Sequence, residues 1–198
     1  MSTIILHEAL NYLDIFREYV VDNDIPTAIR GNANYLAALG LSTYTEILGG
    51  LYCGDLSGKK KDLNRHYKSF IREFFHPDYM EVDRDLRKYH LKGIYRVVRI
   101  GLTHEYFIKK ISKIEMDRSQ YINCGITYDP SKNPQIIFYV KQYFQDFKDA
   151  FEKYYDRLKT DQSGELLRNF EKALRSINSS LIGKISGDFR QDLSGKSL

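Results

Sequence analysis

The stretch Tyr95-Arg96-Val97-Val98-Arg99-Ile100-Gly101-Leu102-Thr103-His104-Glu105-Tyr106 holds an arginine and a histidine five positions apart, with a glycine between them, in a segment of helical apolar period. In an unbroken α-helix, at roughly 100° per residue, Arg99 and His104 would stand about 140° apart around the axis and could not readily share a ligand. A break at Gly101 changes this. One helix ending near Arg99 and another beginning near Leu102 would put His104 in a first helical turn, with Arg99 folded back toward it. The spacing therefore predicts a corner here.

Such a corner has a chemistry. A guanidinium offers a fork of donors that matches a phosphate, and an imidazole moves a proton near neutral pH. Backbone N–H groups at a new helix start would favour a bound anion and a neutral imidazole. The pair suits phosphodiester cleavage. On the plainer reading, Arg99 caps the preceding helix and His104 is an ordinary solvated or core histidine.

Outward from this stretch the period is helical. Ile4 to Val20 carries Ile5, Ala9, Tyr12, Leu13, Phe16 and Tyr19 at spacings of three and four, and Asp22, Asn23, Asp24 and Pro26 then punctuate. A second helix is predicted from Pro26 to Gly49 on Ala33, Leu36, Ala37, Leu39, Tyr44, Ile47 and Leu48, with Gly40 beside Ala37 and Ala38 inviting a close helix neighbour. Gly49 to Gly58 is glycine-dense and runs into lysines. It fails as a phosphate loop, because Gly54 and Gly58 have three residues between them, Lys60 replaces the hydroxyl residue, and helix rather than strand precedes.

A third helix is predicted over Asp62 to Phe75, ended by the His76-Pro77-Asp78 turn, and a fourth from Val82 or Asp83 to Val98 or Arg99. A fifth should run from Leu102 to Met116. Between Gln120 and Val140, alternation in Tyr121 to Tyr128, a turn at Asp129 to Pro134 and the β-rich Gln135 to Val140 predict a small hairpin, serving as a cleft wall or dimer contact. Helices return over Val140 to Lys159 and Ser163 to Asn178, and a glycine- and serine-containing tail follows Ser180. The fold class expected is a mainly α, up-and-down bundle of five to seven helices with one inserted β-hairpin: a single domain over 1–180, then a flexible tail over 181–198.

Composition narrows function less. The chain has 198 residues, 42% of them hydrophobic, enough for a full core. Its formal charge of +4 does not by itself indicate nucleic acid, but Lys59, Lys60, Lys61, Arg65, Lys68 and Arg72 crowd one region. That run can track a phosphate backbone or be a solvated face. Cys53 and Cys124 have no metal-ligand partner nearby in sequence and read as reduced, partly buried thiols. None of His7, His66, His76, His90 and His104 pairs with another at a spacing of three or four, so no metal and no cofactor is expected. Asp129 reads as a turn residue, and Asp83 and Asp85 as helix-start residues. No apolar run reaches the roughly 18 residues of a membrane span, and no signal core opens the chain, so the expected location is cytoplasmic, away from membranes.

Arg99-Ile100-Gly101-Leu102-Thr103-His104, preceded by Ile94-Tyr95 and followed by Glu105-Tyr106, resembles the arginine, four to six residues, histidine signature of the HEPN (higher eukaryotes and prokaryotes nucleotide-binding) domain family. The resemblance implies a small helical bundle, usually dimeric, and a metal-independent endoribonuclease of defence or toxin–antitoxin type. It implies Arg99 and His104 as the catalytic pair. His104 would be general base to the RNA 2′-hydroxyl and Arg99 would hold the phosphate oxygens. It also implies a site shared across a homodimer and a cognate antitoxin or regulatory protein. Lys59, Lys60, Lys61 and Arg65 are candidate RNA contacts, and Tyr106 either stacks a base or packs in the core. The family commonly has a polar residue, often asparagine, after the arginine. Ile100 stands there instead, and it favours the alternative of a catalytically silent module that binds RNA, nucleotide or a protein partner.

Overall fold

In the computed structural model, residues 3–101, 112–117, 123–131, 135–161 and 163–177 are described, the side chains of 3–5 and of Lys60 excepted. The chain is mainly helical with a small three-stranded sheet. Helix α1 (Thr3–Phe16), a π-helical segment (Arg17–Asp24) and α2 (Ile25–Arg30) run on in helical backbone. The punctuation expected at Asp22 to Pro26 does not end the helix. Pro26 lies in the first turn of α2, and the carbonyl four residues before it belongs to Asp22 in the wider π turn, where a missing N–H is tolerated. The π segment also shifts the helical phase, and Tyr19, expected on the apolar face, is 58% exposed. The true break is Gly31-Asn32-Ala33, with Asn32 at φ 54° and Ala33 N–H donating to the Ala28 carbonyl. Leu36, in the first turn after it, is likewise exposed.

Helix α3 (Asn34–Cys53) ends in the glycine-dense stretch. Gly54 takes φ +77°, its N–H donates to the Leu51 carbonyl, and Asp55 N–H donates to the Gly50 carbonyl. This is a Schellman helix end, which explains the glycines without a ligand. Helix α4 (Lys60–Phe74) packs along α3, and the closest approach is at Gly49, where a Cβ would run into the His66 backbone carbonyl. At Gly40, where a close helix neighbour was expected, the Ile25 side chain of α2 comes within 3.0 Å of where a Cβ would stand.

The largest departure concerns the segment that carries Arg99. Helix α5 spans Asp78–Lys88, so Asp83 lies inside it rather than at its start. It ends in a second Schellman turn whose left-handed residue is His90 (φ 63°), with Leu91 N–H donating to the Leu86 carbonyl and His90 N–H to the Arg87 carbonyl. After Gly93 (φ +81°) a new helix opens at Ile94 and becomes π-helical over Tyr95–Ile100. The single helix expected from Val82 to Arg99 is therefore two. Gly101 has φ −57° and ψ −49°, so it continues the helix and makes no corner. The chain turns at Gly93 because its backbone lies against the Asp83 carboxylate, where no Cβ fits.

Strands β1 (Ser112–Glu115), β2 (Ile126–Asp129) and β3 (Gln135–Tyr139) form a sheet in the order β1-β3-β2. The expected hairpin is β2 and β3, antiparallel, with Ile126 opposite Phe138. Asp129 is a turn residue as expected, accepting from the Ser131 N–H and hydroxyl. β1 is an addition: it pairs parallel to β3, so Ser112–Glu115 is strand where the last turn of a helix from Leu102 to Met116 was expected. Within it, buried Ser112 is followed by exposed Lys113, the alternation of an edge strand.

Helix α6 (Val140–Thr160) buries Tyr143, Phe147, Ala150, Phe151, Tyr154 and Leu158 at helical spacing, and α7 (165–177) adds Leu166, Phe170 and Ala173. Rings join the helices. Phe16 stacks on Phe151 at 5.7 Å and Phe70 meets the edge of Tyr154 at the same distance. Among the described residues no helix is long and apolar enough to cross a membrane. The segment after Ser180, expected to be a flexible tail, lies outside the described residues.

Candidate functional site around Arg99

Arg99 comes off the π-helical segment onto α3. Its Nε lies 3.4 Å from Glu46 Oε2, and the two side chains are 17% and 12% exposed. The Tyr95 hydroxyl donates to the same Oε2 at 3.0 Å. Glu46 is the one charged residue in the α3 sequence, and this position gives it two partners from a neighbouring element. A buried carboxylate demands such partners, since an unpaired charge in the core costs several kcal/mol.

Behind this trio runs a line of hydroxyls. The Tyr95 ring packs on Tyr67 at 5.5 Å between centroids; the Tyr67 hydroxyl lies 2.9 Å from that of Tyr143, which lies 3.1 Å from Thr45 Oγ1. Thr45 in turn donates to the Leu41 carbonyl at 2.8 Å. Burial pushes the Tyr95 phenol above its ordinary value and the Glu46 charge adds to this, while Arg99 opposes. Burial does the same at Tyr67, helped by Tyr143 and Glu46. Both tyrosines therefore stay protonated donors across the physiological range. The chemical capacity is that of a guanidinium paired with a carboxylate at 3.4 Å.

His104 and Tyr106 lie outside the described residues, as does the Lys60 side chain. Lys59 and Lys61 are exposed at the start of α4. Arg65 pairs with Asp62 at 3.3 Å and, with Ser69, Arg157 and Asn169, lines a polar cavity of about 360 Å³ that does not include Arg99. The structure thus does not bring the lysine run and Arg99 into one described site.

Of the remaining histidines, His66 is buried, with Nε2 3.6 Å from Asp55 Oδ2. Burial pushes this imidazole below its ordinary value, Arg65 adds to the shift, and Asp55 opposes it. Cys53 and Cys124 are free thiols, and burial pushes Cys124 up to about 11. Among the described residues no group of three His, Cys, Asp or Glu side chains could hold a metal ion.

Sequence reasoning missed Glu46. The available signal was its isolation between Arg30 and Asp55, a single charge in a long apolar stretch. Comparison of the chain with protein-family models, with curated proteins and with solved structures finds no match.

Proposed function

We propose that this chain is a HEPN-like, metal-independent endoribonuclease in which Arg99 clamps the scissile phosphate and His104 is the general base. The observation that carries the reading is the convergence of Tyr95 and Arg99 on Glu46, which orients a guanidinium five residues before the only histidine of the segment. The mainly helical fold agrees with it. In the reaction the 2′-hydroxyl oxygen bonds to the adjacent phosphorus as its proton passes to His104, and the bond from phosphorus to the 5′-oxygen breaks. The leaving oxygen takes a proton, giving a 2′,3′-cyclic phosphate and a 5′-hydroxyl. Arg99 stabilises the extra negative charge on the phosphoryl oxygens. One imidazole cannot easily act as base and leaving-group acid together, so a homodimer with two facing signatures would supply the second proton carrier. Lys59, Lys60, Lys61 and Arg65 would follow the RNA backbone, Tyr106 would stack a base, and an antitoxin-like protein would hold the enzyme silent.

A second reading has its own observation. Arg99 and Glu46 form a mostly buried pair, and Ile100 follows the arginine, an arrangement that suits a silent module binding RNA, nucleotide or protein. Incubation of purified protein with mixed RNA in EDTA separates the two. Wild type should cleave, and Arg99→Ala and His104→Ala should each lose about 10²–10⁴-fold in rate while remaining folded. Equal cleavage by wild type and His104→Ala overturns the catalytic assignment, and RNA retained without cleavage selects the silent module.

A further inference from the structure

Asp83 is 2% exposed, yet it is a carboxylate in the middle of α5. Its Oδ2 lies 2.7 Å from Lys68 Nζ and accepts from Arg87 Nε at 2.9 Å, while Oδ1 accepts the Ile94 N–H at 3.0 Å. The last bond is the informative one. Ile94 opens the helix that carries Arg99, and its N–H is one of the donors that no intrahelical acceptor can satisfy. A helix normally takes that acceptor from the residue before it, but Gly93 has no side chain. The acceptor comes instead from another helix, eleven residues earlier. Gly93 makes this approach possible, because its φ of +81° and missing Cβ let the backbone lie against Asp83 Oδ1.

The segment is therefore fixed by two carboxylates: Asp83 at its first N–H, and Glu46 at the adjoining Tyr95 and at Arg99 five residues on. Shifting the first contact would rotate or slide the second. The cations Lys68 and Arg87 hold Asp83 ionised against its burial, so the anchor is a charged acceptor.

We propose that Asp83 is a positioning residue that sets the placement of the Arg99 guanidinium by capping the Arg99 helix from outside. The inference rests on the proposed role of Arg99. It has a readout of its own, the side-chain Nε–Hε NMR signal of Arg99, assigned by its loss in Arg99→Lys.

The test compares Asp83→Ala, Gly93→Ala and Arg84→Ala with wild type, at a temperature where each is folded. Asp83→Ala and Gly93→Ala should both move the Arg99 signal and lower kcat on RNA at least tenfold, with KM changed less than twofold. Arg84→Ala, at an exposed residue of the same helix paired with Glu81, leaves the cap in place and should do neither. If Asp83→Ala does not fold, Gly93→Ala decides, since its Cβ would meet Asp83 Oδ1 and the Arg87 guanidinium and so displace the cap without removing the carboxylate. An unmoved Arg99 signal in the folded cap variants overturns the proposal and makes Asp83 a structural ion pair alone. If wild type fails to cleave RNA, the enzymatic reading falls, and the Arg99 signal still decides whether Asp83 positions it.

Discussion

Glu46 and His66 are the residues whose physics is most open to test. Replacing Glu46 with Gln keeps shape and a hydrogen-bond acceptor for Tyr95 but leaves Arg99 without its carboxylate. The Tyr95 bond loses its charged acceptor and Arg99 its ion pair, which together should cost about 1.5–3 kcal/mol in urea unfolding. The same change should lower RNA cleavage, because the guanidinium loses the group that orients it; undiminished cleavage would remove Glu46 from the account. His66 gives a pH dependence with a defined sign. Its folded pKa lies below its unfolded value of about 6.5. As pH falls the unfolded chain binds this proton first. The contribution of His66 to stability is then present above about pH 6.5 and is lost as pH falls toward the folded value. Urea midpoints from pH 7.5 to 5.5 should decline in wild type and decline less in His66→Gln. Parallel curves would contradict the assignment.

At the scale of elements, helical character was legible among the described residues and helix ends and number were not: the spans read as single helices from Pro26 to Gly49 and from Val82 to Arg99 are each broken in two. The spacing of Tyr143, Phe147, Phe151 and Tyr154 sufficed for α6, because a buried stripe repeats and its period survives small errors of boundary. The end of α5 was hidden because its left-handed residue is His90, with no glycine there to flag a Schellman turn. Gly101 misled for the converse reason. Glycine permits a break without imposing one, and the residue that turns the chain is Gly93, selected by a carboxylate ten positions upstream that periodicity cannot place beside it. Strand β1 was missed because its partner β3 is long-range and parallel, so the pairing leaves only a faint alternation in four residues. The α3–α4 contact turns on Gly49. Gly49→Ala would push a Cβ into the His66 backbone and should destabilise the protein by about 1–3 kcal/mol in chemical unfolding. A change under a few tenths would show that the helices separate without strain.

Across the whole molecule, the sequence reading anticipated a mainly helical chain carrying a β-hairpin near 120–140, and both are present. Half of the candidate site was legible. Arg99 was singled out by its spacing from His104, whereas its carboxylate partner sits 53 positions earlier, and only packing of α3 against the Arg99 helix unites them. Arg65, within the basic run, lines a polar cavity that does not include Arg99. In the proposed function, the helix that carries Arg99 is held at Ile94 by Asp83 and at Tyr95 and Arg99 by Glu46, and Arg99 would take a phosphate. In the proposed reaction the RNA 2′-hydroxyl is the nucleophile. The most direct measurement is the end-group analysis of a defined oligoribonucleotide, beside the same oligonucleotide with every 2′-hydroxyl methylated, both in EDTA. Products ending in 2′,3′-cyclic phosphate and 5′-hydroxyl are expected from the first and an intact second. Cleavage of the methylated strand, or 5′-phosphate ends on the products, would contradict it.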